Sequence, residues 1–170
     1  HDPVITLGRR ADPAHILADG AALAERGVAV YPVERGGDVT FHGPGQVVGY
    51  PILDLSCIRK DVVWYVRTLE EGIIRTLEEL GLPAGRRQGM TGVWVDEKKV
   101  AAIGIHISRW ITSHGFALNM ETDLGYFRHI VPCGIAAYRV TSLQELLGTR
   151  TDRASLEMRL ATHLGELLGL

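Results

Sequence analysis

The stretch RGGDVTFHGPGQVVGYPILDL, Arg35 to Leu55, decides how this chain is read. Asp38 to Phe41 alternates polar and apolar residues, the period of a half-buried strand. Gly43-Pro44-Gly45 forces a turn, and Gln46 to Leu53 resumes an extended run. Working outward, Val4 to Leu7 and Val28 to Val33 (VAVYPV) read as strands before this stretch. Thr91 to Val95, Lys99 to Ser108 and Gly115 to Met120 read as strands after it. The clearest helix lies between, over Asp61 to Leu80. Val62, Val66, Leu69, Ile73, Leu77 and Leu80 recur there at steps of three and four, and Gly81 and Pro83 supply the stop. Ser142-Leu143-Gln144-Glu145 has capping-box spacing for a short helix closed by Gly148. Asp152 to Leu168 is a second amphipathic helix through Leu156, Leu160, Leu164 and Leu167. Strands outnumber helices, several turns are short, and the βαβ alternation of a doubly wound fold is missing. The expected class is therefore α+β: a mixed, largely antiparallel sheet with helices packed against it on one side.

The 170 residues suit one domain over 1–170. The 46% apolar and 22% charged content excludes disordered, collagen-like and fibrous classes. A net charge of −2 does not suit a general polyanion binder, so no nucleic-acid partner is expected. No apolar run reaches the ~20 residues that span a bilayer, and no signal peptide opens the chain, so no membrane partner is expected either. The first residues, His1-Asp2-Pro3-Val4, read as the lead-in to a strand in a chain missing a short N-terminal segment. The two cysteines, Cys57 and Cys133, are too few for a disulfide scaffold, which suggests a reduced, cytoplasmic protein. Glycine is in excess, 20 of 170, against a usual ~7%.

Three glycine-rich stretches interrupt strands: Arg35 to Gln46, the surroundings of Gly104, and His114-Gly115-Phe116-Ala117. Such glycines make turns or mark close approach of backbone to a ligand. No Gly-Lys pair occurs and no G-x-G-x-x-G follows a strand, so neither a P-loop nor a dinucleotide site is supported. The seven histidines form no H-E-x-x-H and no close helical pair, so no metal site is expected. His42 and His114 lie in glycine-rich stretches and suit a pocket; His106 and His129 suit solvent or a satisfied hydrogen bond. Cys133, in Val-Pro-Cys-Gly-Ile, sits in a loop suited to presenting a side chain, or is a small buried hydrophobe. Cys57 fits the buried reading. Lys99 leads into the apolar run Val100 to Gly104 and is either desolvated or a plain surface lysine beside Lys98. If Lys99 meets Cys133, its charge favours the reactive thiolate.

These motifs together resemble the lipoyl(octanoyl) transferases, the octanoyl-[acyl carrier protein]:protein octanoyltransferases of lipoate biosynthesis. The resemblance runs through His1-x-Pro3-Val4-x-Thr6-x-Gly8-Arg9, Arg35 to Leu55, KVAAIG (Lys99 to Gly104), HGFALN (His114 to Asn119) and VPCGI (Val131 to Ile135), in family order. It implies a fold related to biotin and lipoate protein ligase catalytic domains. It implies Cys133 as acyl-thioester nucleophile and Lys99, not Lys98, as its partner. It also implies an acyl pocket from three segments: Arg35, Gly36, Gly37, Asp38, Val39, Thr40, Phe41 and His42; then Ala102, Ile103 and Gly104; then Gly115, Phe116 and Ala117. His1 and His114 are candidates for the same cavity. His106 stands where many relatives are expected to carry Arg or Lys.

The implied reaction moves an octanoyl group from octanoyl-acyl carrier protein to a lipoyl-domain lysine, with no cofactor. The implied acceptors are the lipoyl domains of 2-oxo-acid dehydrogenase complexes and the glycine cleavage H protein. The rivals are an ATP-dependent lipoate or biotin ligase on the same scaffold and a non-catalytic carrier-binding module. Acyl carrier proteins are acidic, so a basic patch is expected, with Arg9-Arg10, Arg59-Lys60 and Arg86-Arg87 as candidates.

Overall fold

The computed structural model describes residues 1–131 and 139–170. Their strands form two sheets, not the one sheet expected. In the smaller, β1 (Val4–Leu7) lies between β2 (Ala29–Pro32), parallel to it, and β3 (Val39–His42), antiparallel to it. The parallel pairing requires a crossover, supplied by a 3-10 turn at Pro13–His15 and helix α1 (Gly20–Glu25). Asp19 caps α1 by accepting from the Ala22 amide at 2.8 Å. Ile5, Leu23, Val28, Val39, Phe41 and Ile130 form this unit's core.

The larger sheet has the order β4-β8-β7-β6-β5. Its strands are β4 (Gln46–Gly49), β5 (Ala84–Arg87), β6 (Met90–Val95), β7 (Lys98–Ser108) and β8 (Ile111–Asn119), each antiparallel to its neighbour. A two-residue strand β9 (Arg139–Val140) pairs parallel with Lys98 and Lys99 at the start of β7. Helices α2 (Val62–Glu78) and α4 (Arg153–Leu168) pack on this sheet, with α3 (Leu143–Leu147) beside them. The apolar stripe of α2 puts Leu69, Ile73 and Leu77 at 0% exposure. Asp61 caps that helix through the Trp64 amide at 2.9 Å, and Gly81, at φ 78°, follows its end as the sequence predicts. Ser142 caps α3 as expected, and Gly148 closes it in the left-handed conformation.

The stretch from Arg35 to Leu55 crosses between the sheets. Its first strand, β3, pairs with β1, and its second, β4, pairs with β8. Gly45 makes the corner at φ 85°, and a Cβ there would sit 2.5 Å from the Glu121 carbonyl oxygen. Only glycine combines that dihedral with that close approach. The Gly45 carbonyl accepts from the Met120 and Glu121 amides at 3.1 and 2.9 Å, which anchors the corner to the end of β8. β4 stops at Gly49, short of the predicted Leu53, because Pro51 has no amide to continue a ladder.

Candidate active site

A cleft of about 1000 Å³ opens between the two sheets. One wall is the Gly-rich entry to β3. Arg35, buried at 7% exposure, clamps it to β1. Its Nη2 donates to the Thr6 carbonyl at 2.7 Å and to Thr6 Oγ1 at 2.8 Å, and Nη1 donates to Gly36 O at 3.1 Å. The Gly36 amide donates to Ile105 O at 2.7 Å, joining this loop to β7. Gly37, Asp38, Val39, Thr40 and His42 line the same wall. The Asp38 carboxylate is engaged by His15 Nδ1 at 2.6 Å and the Asp12 amide at 3.1 Å, so it braces the loop from behind.

Phe41 corrects the expected pocket. It is 2% exposed in the small core, stacked on Tyr126 at 4.6 Å between ring centroids, and does not line the cleft. Phe41 stands between Thr40 and His42 on a strand, so the period of two turns its side chain away from the face they share and into the small core.

The second and third predicted segments form one ladder. Ala102, Ile103 and Gly104 pair with Ala117, Phe116 and Gly115, and all six line the opposite wall. Lys99 also lines the cleft and is 6% exposed, so the buried of its two sequence readings holds. Its stem runs over Gly92, where an added Cβ would fall 2.5 Å from Lys99 Cε, and its Nζ lies 5.2 Å from the Trp94 ring centroid. A cation facing an indole is attracted by the ring quadrupole.

Cys133 lies outside the described residues. The chain before it is tied to the small unit, where the Val131 amide donates to His15 O at 2.7 Å. After it, Val140 pairs with Lys99, and the Thr141 amide donates to Lys99 O at 2.9 Å. Cys57 corrects the expected burial: it is exposed, in a turn where Asp54 accepts from the Ser56 amide at 2.8 Å.

The rim carries histidines and a tyrosine. His1 Nε2 and Tyr50 Oη are 2.7 Å apart, the His1 and His42 rings 5.6 Å, and the Tyr50 and His114 rings 6.4 Å. His114 has φ 58°, a conformation few non-glycine residues adopt. Burial pulls the His42 pKa from 6.5 to about 4, assisted by the Arg35 charge and opposed by a hydrogen bond to Gln46. Burial and then Arg35 also lower that of His114, and burial raises that of Tyr50. Both shifts favour the neutral imidazole, at His42 and at His114. Tyr50, Thr6, Arg10 and Thr91 join the lining without a sequence signal beyond their neighbours.

The proposed basic patches are largely spent within the fold. Arg86 bonds Glu70 at 3.0 Å and Glu71 at 2.8 Å, Arg87 pairs with Glu97 at 2.8 Å, and Arg59 with Asp61 at 3.1 Å. Arg9 lies 3.9 Å from Glu34, while Arg10 lies on the cleft rim. No group of three or more potential metal ligands occurs among the described residues, and no helix there is long and apolar enough to cross a membrane.

Residues 1–165 match the family model for the lipoyl protein ligase A/B catalytic domain. The chain is 53% identical over 167 residues to an octanoyltransferase of Solibacter usitatus, spanning 98% of this chain and 75% of that protein. Among solved structures, it is similar to the bipartite lipoate protein ligase of Thermoplasma acidophilum, at TM-score 0.75 and 20% identity. That match covers 99% of this chain and 69% of the other. It is also similar to the biotin protein ligase of Aquifex aeolicus, at TM-score 0.65 and 20% identity, covering 98% and 70%. These two likenesses confirm the expected α+β fold of biotin and lipoate ligases. The chain belongs to the lipoyl protein ligase A/B catalytic-domain family, where its relatives include octanoyltransferases.

Proposed function

We propose that this chain is the catalytic domain of an octanoyltransferase that carries the acyl group from octanoyl-acyl carrier protein to a lipoyl-domain lysine through a thioester on Cys133. The observation that carries the reading is Lys99: buried in the cleft, on a strand paired to β9, where the segment bearing Cys133 rejoins the sheet. A lysine charge beside a thiol favours the thiolate, which attacks the carrier's thioester carbonyl. The carrier's thiol leaves and octanoyl-Cys133 forms. Lys99 gives its proton to the departing carrier thiolate and, then neutral, takes one from the acceptor amine as that amine attacks the new thioester, with the Cys133 thiolate as leaving group. An amide is more stable than a thioester, so transfer needs no nucleotide. The apolar ladder from Ala102 to Gly104 and from Gly115 to Ala117 forms the acyl channel. At ~0.8 kcal/mol per buried methylene, two carbons change affinity roughly fifteenfold, so preference for eight carbons is real but leaky. The acceptors are lipoyl domains of 2-oxo-acid dehydrogenase complexes and the glycine cleavage H protein.

Intact-mass measurement after incubation with octanoyl-carrier, without ATP, tests this. The wild type should gain one octanoyl group and Cys133→Ala none, while Lys99→Arg should load far more slowly. An adduct retained by Cys133→Ala removes the nucleophile, and a strict ATP requirement turns the assignment to a ligase.

A further inference from the structure

His42 faces the cleft with one ring nitrogen committed to a buried chain of amides. Its Nδ1 lies 3.2 Å from Gln46 Oε1. The Gln46 Nε2 group donates to Phe41 O at 3.2 Å and to Asn119 Oδ1 at 3.0 Å. Asn119 Nδ2 donates to Thr141 O at 3.0 Å. Gln46 and Asn119 are 7% and 5% exposed, and Thr141 is fully buried.

Backbone carbonyls fix the direction of every bond in this chain. Thr141 O accepts only, so the amide nitrogen of Asn119 must face it and its oxygen must face Gln46. Phe41 O also accepts only, so the nitrogen of Gln46 must face both acceptors and its oxygen must face His42. An amide oxygen has no proton to give, so His42 Nδ1 must be the donor. In a neutral imidazole with Nδ1 protonated, Nε2 carries the lone pair.

We propose that Gln46 and Asn119 are positioning residues that lock His42 as the Nδ1–H tautomer, so that Nε2 is a fixed acceptor for an N–H of the incoming acceptor amine. This rests on the transfer reading above and adds a role to it. The acyl chain and its thioester have no hydrogen-bond donor to offer an acceptor nitrogen; the amine has one. Nε2 accepts a hydrogen bond and takes no proton, in keeping with a pKa held near 4. The bond orients the amine within the cleft and leaves deprotonation to Lys99. The chain ends at Thr141, whose amide holds the Lys99 carbonyl, so one backbone segment sets both groups.

Long-range proton–nitrogen correlation spectra of the wild type at neutral pH read the tautomer directly. The expected result is a protonated Nδ1 and a bare Nε2 on His42. A protonated Nε2, or an imidazolium, overturns the proposal with no variant needed. In Gln46→Met the tautomer should shift toward Nε2–H, and single-turnover transfer from isolated octanoyl-enzyme to a lipoyl domain should fall roughly tenfold, the worth of one hydrogen bond. His42→Gln, which keeps an acceptor near the Nε2 position, should recover part of the transfer rate lost in His42→Leu. A shifted tautomer with unchanged transfer, or a loss confined to loading by octanoyl-carrier, sinks the amine role. If the wild type forms no acyl-enzyme, the transfer reading fails and the amine role with it, while the tautomer result stands by itself.

Discussion

The two halves of the molecule are built to different standards. The larger sheet is backed by α2 and α4, and Leu69, Ile73, Leu77, Val93, Val100 and Leu118 are all at 0% exposure in its core. The smaller sheet is three short strands backed by a six-residue helix, and Tyr31 on its edge strand and Leu17 in the crossover are left 59% and 61% exposed. The first half holds Lys99 and the ladder of Ala102 to Gly104 on Gly115 to Ala117 in fixed register. The second carries the Gly-rich wall and His42. One wall of the cleft is thus set in a well-packed ladder and the other in a thinly cored sheet. Local stability in proteins follows buried apolar contact, so the halves should differ in how readily they open.

Leu69→Ala should have the largest effect on that difference. It removes a fully buried side chain from the large core at a cost of about 2–5 kcal/mol, read as a lowered urea midpoint for the whole chain. If only the small sheet's amides exchange faster, the large core is not the anchor. Acid should act from the opposite side. His42 is neutral in the fold with a pKa near 4, against 6.5 when unfolded. The unfolded chain therefore binds a proton more readily in that window. Stability from this residue is complete above about pH 6.5 and is lost as pH falls toward 4, about 3 kcal/mol in all. Hydrogen exchange at pH 5 should quicken first in β1 and β3 and later in α2. Uniform quickening would erase the contrast. Asp19→Ala should be the mildest, at about 1 kcal/mol, because it removes one N-cap from α1. Its effect should be confined to amides of α1 and β2; a shift in α2 would show the halves to be one cooperative unit.

Much of the larger half is legible in the sequence because periodicity states it. The α2 stripe names its own core, and Ser142 and Gly148 name the ends of α3. The start of β8 is not legible. The turn joining it to β7 is Arg109-Trp110, with φ of 50° and 67°, the left-handed pair that Asn-Gly usually supplies. Arginine and tryptophan advertise nothing of the kind, so the strand is read to begin at Gly115 instead of Ile111. The existence of two sheets is hidden for another reason. Strand, tight turn and strand look alike whether the strands pair or part, and the contact that separates them, Gly45 against Glu121, is distant in sequence. In the site, the three glycine-rich segments are visible as motifs, and the structure brings every residue singled out in them except Phe41 to one cleft. Phe41 was misplaced because a motif read as a block ignores the alternation of strand faces. Gln46 and Asn119 stand inside quoted motifs, but nothing in the sequence joins them, since a buried amide is marked by its partners and these lie 73 positions apart.

The backbone seams across the cleft have a further consequence. The Gly36 amide on Ile105 O and the Gly45 carbonyl on Met120 and Glu121 involve no side chain. The separation of the cleft walls is thus written in main chain and is independent of which residues line it. Substitutions at Ile103 or Ala117 alter the bore of the channel without moving its walls. The bore of the cleft and the distance between its walls are therefore separately evolvable traits in this scaffold.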